Sequence, residues 1–178
     1  MPTIRVFLTI AMHHKWPVHQ MDVASAFLHD DLNETAYMTQ PRGFEDNLYP
    51  KHYLTITRPD IAYAVNVLCQ HMHDPQSTHF HLLKRLLRYI QGTAHFGLPI
   101  FADSLQLRSL SDADWAGDTV TRRSTFGYCT FLGSTLISWS VKRQHTIARS
   151  STEAEYRAVA AATTDILWLR SLHISMFL

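Results

Sequence analysis

The sequence predicts an α+β fold. Two observations carry this. Between Leu105 and Val141 the apolar residues recur with a period of two, in three runs broken by turn residues. Before and after that stretch they recur with a helical period, so the later half reads strand, strand, strand, helix.

From the amino terminus, Ile4 to Ala11 alternates weakly and fits helix or strand equally. Val18 to Phe27 reads as an extended segment running into a helix or turn. Pro41, Gly43, Asn47 and Pro50 then break the pattern, and Gly43 to His52 reads as loop, the best candidate boundary. Two helices follow. In the first, Ile61, Ala64, Val65, Leu68 and Met72 lie at helical spacing, with Pro59 tolerated in the first turn. In the second, Phe80, Leu83, Leu86, Leu87 and Ile90 form an apolar stripe expected to pack in the core, and Gly92 stops the helix. Strands are expected at Leu105–Asp112, Ser124–Leu132 and Thr135–Val141. Gly133–Ser134 is a two-residue hairpin signal between the last two. Ile137, Trp139 and Val141 are expected on one face of the third strand, Ser138 and Ser140 on the other. The final helix is expected from about Thr152 to His173. Its broad apolar face would hold Tyr156, Val159, Ala160, Thr163, Ile166, Leu167 and Leu169.

At 178 residues the chain suits one ordinary domain or two small ones, and with 46% apolar residues it can build a core. No apolar run reaches the roughly 18–20 residues of a membrane span, and no signal-peptide cleavage site clearly follows Met1–Met12. Cys69 and Cys129 are the only cysteines. Their apolar neighbours suggest buried thiols in a reducing compartment. The net charge is only +1, but it is unevenly spread. Met21 to Pro50 carries Asp22, Asp30, Asp31, Glu34, Glu45 and Asp46 against Arg42 alone. Thr119 to Thr152 carries Arg122, Arg123, Lys142, Arg143 and Arg149 and no acid. The second stretch suits a polyanion or simply a solvated surface. The histidine pairs His71/His73 and His79/His81 point to different sides of a helix and make poor metal sites.

The stretch RSSTEAEYRAVAAA, Arg149 to Ala162, opens its helix with two capping-box patterns: Ser150 with Glu153, and Thr152 with Glu155. Acids there also suit the helix dipole. The other reading gives one of these carboxylates to a metal. Asp112 and Asp114, in SDADWAG, close the first expected strand, and a helix-borne Glu with a strand-borne Asp supplies the hard oxygen ligands Mg²⁺ prefers. Two such ions about 3.5–4 Å apart activate water in phosphodiester cleavage. Spacing alone leaves both readings open. No nucleophile elbow, Gly-rich phosphate loop or aspartic-protease motif is present.

The run from SDADWAGD to DILWLR closely resembles the RNase H domain of copia-type long-terminal-repeat retrotransposon Pol polyproteins. YLTITRPDIAYAVNVLCQHMHDPQSTHFHLLKRLLRYIQGT resembles the connector before that domain. RVFLTIAMHHKWPVHQMDVASAFLHDDLNETAYMTQPRGF resembles the start of the same element's reverse transcriptase. The resemblance implies three parts: a reverse-transcriptase fragment at 1–46, a helical connector at 47–97, and an incomplete RNase H-like domain at 98–178. The last would be a three-stranded antiparallel sheet with one long helix.

It also implies roles. Asp112 matches the first RNase H metal ligand, with Asp114 as the alternative. Glu155 matches the second ligand, which leaves Glu153 as the cap. Asp22, in QMDVASAFL, matches a polymerase metal ligand, and Phe27 matches the steric gate that excludes a 2′-hydroxyl. Arg122, Arg123, Lys142, Arg143 and Arg149 are candidate nucleic-acid contacts, with Trp115 or Trp139 stacking. The cofactor implied is Mg²⁺ or Mn²⁺, held weakly at most. The partners implied are an RNA–DNA hybrid or other nucleic acid and the remaining Pol segments, with no membrane, in an intracellular setting, cytoplasmic or nuclear. The sequence departs from the family where it lacks the adjacent-aspartate polymerase motif, most of the palm, and the third and fourth RNase H aspartates. Asp30–Asp31 and Asp165 do not replace them. The expectation is therefore a catalytically silent remnant or a non-catalytic binding module.

Overall fold

The computed structural model describes residues 2–18, 55 and 57–175. Its elements run α1 (Pro2–His13), a short 3₁₀ turn (Pro59–Ile61), α2 (Ala62–Gln70), α3 (Ser77–Gly92), β1 (Leu107–Asp114), β2 (Thr125–Leu132), β3 (Thr135–Arg143) and α4 (Ser151–Ser175). The fold is α+β, as the sequence predicts. Asp22, Phe27, Asp30 and Asp31 lie outside the described residues. So do residues 19–27 of the expected extended segment and the expected loop at 43–52.

The ambiguous amino-terminal stretch is helix. α1 buries Val6, Thr9 and Ile10, the spacing of one helical face. Arg58 joins α2 and α3. Its guanidinium donates to both Asp60 oxygens (3.0 and 2.7 Å) and to the Thr93 carbonyl (3.0 Å). Tyr89 adds a hydroxyl bond to Asp60 at 2.9 Å. The start of α2 is thereby pinned to the end of α3, and the Arg58 hydrogen bonds hold the Asp60 carboxyl below its ordinary value. The expected core stripe of α3 is not buried. Leu83, Leu86, Leu87 and Ile90 are half-covered and Phe80 is exposed, because α3 lies against α2 and not under the sheet. Cys69 is likewise exposed, against expectation, and Cys129 is half-buried.

The three strands form one antiparallel sheet in the order β1-β2-β3. Gly133 and Ser134 make the expected two-residue hairpin, with Leu132 opposite Thr135. Gly133 has φ +60, and an added Cβ would lie 2.1 Å from the Ser104 carbonyl oxygen, so the position requires glycine. β3 departs from simple alternation. Thr130 faces Ser138 but Phe131 faces Leu136, which leaves Ile137 as the extra residue of a bulge. Ile137 and Ser138 are therefore both buried, and the expected Ile137–Trp139–Val141 face is broken after its first member.

α4 packs across β1 and β2. Its buried seam is Ala154, Ala158, Ala162 and Leu169, with Asp165 half-buried among them. This corrects the predicted apolar face: Tyr156 is 71% exposed, and Val159, Ala160, Thr163 and Leu167 also face outward. Alanines at i, i+4 and i+8 let the helix backbone approach the sheet closely, which larger side chains would prevent. Asp165 is anchored there. It accepts hydrogen bonds from the Thr130 hydroxyl at 2.9 Å and the Ser138 hydroxyl at 3.2 Å, one from each of two strands. The buried apolar cluster is Val6, Ile10, Leu132, Ile137 and Leu169, so α1 closes the core beside β3 and α4.

Candidate functional site

Among the described residues, Asp112, Asp114, Glu155 and the basic candidates lie at one end of the sheet. There β1 ends, β2 begins, β3 ends and α4 starts. Strand β1 runs two residues further than expected. Asp112 is therefore inside the strand, opposite Gly127, and Asp114 is its last residue, opposite Thr125. Exposure alternates along β1, which puts Asp112 and Asp114 on the open face with Arg108 and Leu110. Ser109 lies on the other side, where its hydroxyl meets Thr130 at 3.1 Å beneath α4. Asp114 closes over Gly117, where a Cβ would stand 2.2 Å from its Oδ2.

At the head of α4, Glu153 behaves as the cap. Its backbone N–H donates to the Ser150 hydroxyl (3.1 Å), and its carboxylate accepts from the Arg149 backbone N–H (2.7 Å) and pairs with Arg157 (2.6 Å). The Arg149 N–H, and then the Arg157 charge, hold the Glu153 carboxyl below its ordinary value. Glu155 instead reaches the sheet. Its Oε1 accepts the backbone N–H of Ala113 at 3.2 Å, on the side of β1 away from β2. Asp112 and Glu155 thus meet the same peptide of β1 from different directions: Glu155 at the strand's outer edge, Asp112 on the face turned from α4. No three His, Cys, Asp or Glu side chains cluster to hold a metal among the described residues.

The basic candidates are not equivalent. Arg122, Lys142 and Arg149 are exposed, and Arg123 is half-buried. Arg143 is held in an ion pair with Asp118 at 2.8 Å. Asp118 also accepts from the Val120 N–H (2.9 Å), the Thr121 N–H (3.1 Å) and the Thr121 hydroxyl. Those bonds, the Thr121 hydroxyl's foremost, hold its carboxyl well below the usual carboxylate range. Asp118 organises the β1–β2 loop, in which Ala116 and Arg122 both adopt positive φ. Sequence reading missed it, although D-x-x-T is an Asx-turn signature. Of the two tryptophans, Trp139 has the Arg5 guanidinium 4.6 Å over its ring and donates its N–H to the Thr55 carbonyl. Trp115 is partly exposed and donates to the Ala148 carbonyl at 3.0 Å.

Residues 1–58 match the family model described as reverse transcriptase (RNA-dependent DNA polymerase). The chain is 49% identical, over 75% of its length, to a retrovirus-related Pol polyprotein from transposon RE2 of Arabidopsis thaliana. It is 49% identical, over 66% of its length, to secreted RxLR effector protein 161 of Plasmopara viticola, covering 84% of that protein. The chain belongs to the copia-type retrotransposon Pol family. This Pol-family chain is also 53% identical, over 75% of its length, to an uncharacterized mitochondrial protein of Arabidopsis thaliana. It spans 56% of that relative and 9% of the RE2 polyprotein. No solved structure matches it significantly. No helix among the described residues is long and apolar enough to cross a membrane.

Proposed function

We propose that this chain is a catalytically silent Pol remnant. In this reading residues 1–46 derive from the reverse transcriptase, 47–97 from the connector, and 98–178 from an RNase H-like domain acting on RNA–DNA hybrids in its ancestors. Asp112 (or Asp114) and Glu155 are the surviving pair of a metal shell, and Asp22 and Phe27 the surviving pair of a polymerase site. One observation carries the proposal: Glu155 is engaged by the Ala113 backbone while Asp112 faces away from α4. Mg²⁺ or Mn²⁺ would then be held by single carboxylates and water, too weakly to assemble the two-ion arrangement that hybrid cleavage needs.

A second reading is favoured by the cations at the same end of the sheet, of which Arg122, Lys142 and Arg149 are exposed and Arg123 is half-buried. Arg122, Arg123, Lys142 and Arg149 grip phosphates without cutting, while Arg143 is withdrawn by Asp118. Phosphate contacts of this kind release counterions, so affinity falls steeply as salt rises.

One experiment addresses both. The protein is incubated with an RNA–DNA hybrid and Mg²⁺ or Mn²⁺ while binding to the same hybrid is titrated against salt. The expected result is no metal-dependent cleavage above the Asp112→Asn variant, with binding that weakens as salt rises. Cleavage abolished by Asp112→Asn would overturn the silent reading. Binding indifferent to salt, or unchanged when Arg122 and Lys142 become alanine, would overturn the second.

A further inference from the structure

Among the described residues strand β1 pairs only with β2, so its other side is a sheet edge there. In an antiparallel ladder successive residues turn their backbone groups alternately toward and away from the neighbour. Since the Ala113 N–H points outward to Glu155, the N–H and C=O groups of Leu107, Ser109 and Ser111 point outward as well. The edge is thus a row of Leu, Ser, Ser and Ala backbone groups, and among the described residues only the last N–H is covered. An edge of this kind is a template for another strand. The question is which strand it fits.

We propose that the edge takes β1 of a second copy of this chain, antiparallel about a two-fold axis at Leu110. Only outward residues can exchange ladder hydrogen bonds, so a register must pair odd-numbered residues with odd-numbered residues. A slip by one residue would set inward-turned groups against outward-turned ones. With the axis at Leu110, Ser109 lies opposite Ser111 of the second copy, and Leu107 lies opposite its Ala113. On the open face Arg108 lies opposite Asp112 of the second copy, and Leu110 lies opposite its own equivalent. From Arg108 to Asp112 each side chain on that face therefore meets its complement. Arg108 and Asp112 form two symmetric ion pairs flanking a leucine pair. Moving the axis to Ser111 sets Leu110 against Asp112, and moving it to Ser109 sets Arg108 against Leu110.

Three features of the fold prepare this face. Leu110 is 60% exposed. Arg108 is already drawn over the sheet, its guanidinium 5.3 Å from the Phe131 ring centre. Asp112 stands opposite Gly127 on β2, so no cross-strand side chain within its own sheet competes for it. The isologous contact closes on itself as a six-stranded sheet and does not propagate into a fibre. Glu155 is the gate. Its carboxylate occupies the Ala113 N–H, and it must swing away for the outermost pair to form. A divalent cation at Asp112 would compete with Arg108 of the second copy. The proposal stands independently of the nucleic-acid reading.

Sedimentation velocity over a concentration series tests it, with circular dichroism confirming that each variant folds. The wild-type chain is expected to show a monomer–dimer equilibrium. Arg108→Asp or Asp112→Arg alone sets like charges opposite one another twice and should weaken the dimer at least about tenfold. The double variant Arg108→Asp/Asp112→Arg should restore it, and Glu155→Ala should strengthen it. A monomer at all concentrations, a dimer insensitive to both single variants, or a double variant that fails to recover would each overturn the proposal.

Discussion

Replacing Asp165 with alanine should be among the most damaging single changes in α4, although the residue is only half-buried. In the folded chain its carboxylate receives the hydroxyls of Thr130 and Ser138, which are 0% and 5% exposed. Thr130 keeps a second partner in Ser109, 3.1 Å away, so its loss is confined to one bond. Ser138 has no such alternative and would be left as a buried, unanswered donor. One bond to a charged group is worth about 1.5 kcal/mol and one orphaned hydroxyl costs about 1–3 kcal/mol, giving a total of about 2.5–4.5 kcal/mol. Against a whole-domain stability of about 5–15 kcal/mol this is a large fraction. Asp165→Asn should cost only about 1 kcal/mol, because the amide oxygen still accepts from one hydroxyl and the amide N–H donates to the other. Urea unfolding followed by far-ultraviolet circular dichroism measures both, with an unchanged m-value confirming a common transition. An alanine variant within about 0.5 kcal/mol of wild type, or an asparagine variant as weak as alanine, would refute the reasoning.

Asp118 supplies a pH prediction. Its folded-state value lies below its unfolded one, so the unfolded chain binds its proton first as pH falls. Its contribution is therefore complete above about pH 4 and lost progressively below it. Urea midpoints measured from neutral to acid pH should fall less steeply in Asp118→Asn than in wild type. Ala158→Leu should destabilise by about 1–3 kcal/mol through overpacking of the seam, read as a lower melting temperature. A neutral result there would mean that α4 does not sit tightly on the sheet.

The sheet was the most legible part of the sequence, since strand alternation and a Gly-Ser turn both act between near neighbours. Its one irregularity was not, because the bulge at Ile137 is set by register against Thr130 and Phe131 and leaves no local signal. The final helix was legible in position and misread in orientation. Large apolar side chains suggested the buried face, whereas close approach to the sheet selected alanines. The site was legible as a place. Asp112, Asp114, Glu155 and the cations lie at one end of the sheet, which places them without testing their roles, and Glu153 hydrogen-bonds Ser150 at the head of the helix. Individual roles were not legible where the partner is remote. Arg143 looks like a free cation until Asp118 is seen 2.8 Å away, and Asp165 looks idle until β2 and β3 are folded over it.

Val6 and Ile10 share their burial with Leu132, Ile137 and Leu169. The first helix, within the stretch that matches a polymerase, therefore completes the interior of the strand-and-helix half that follows. The end of the polymerase match at residue 58 is therefore not an end of the core. The two stretches bury their oily surfaces jointly, and severing the leading helix would deprive both of shelter.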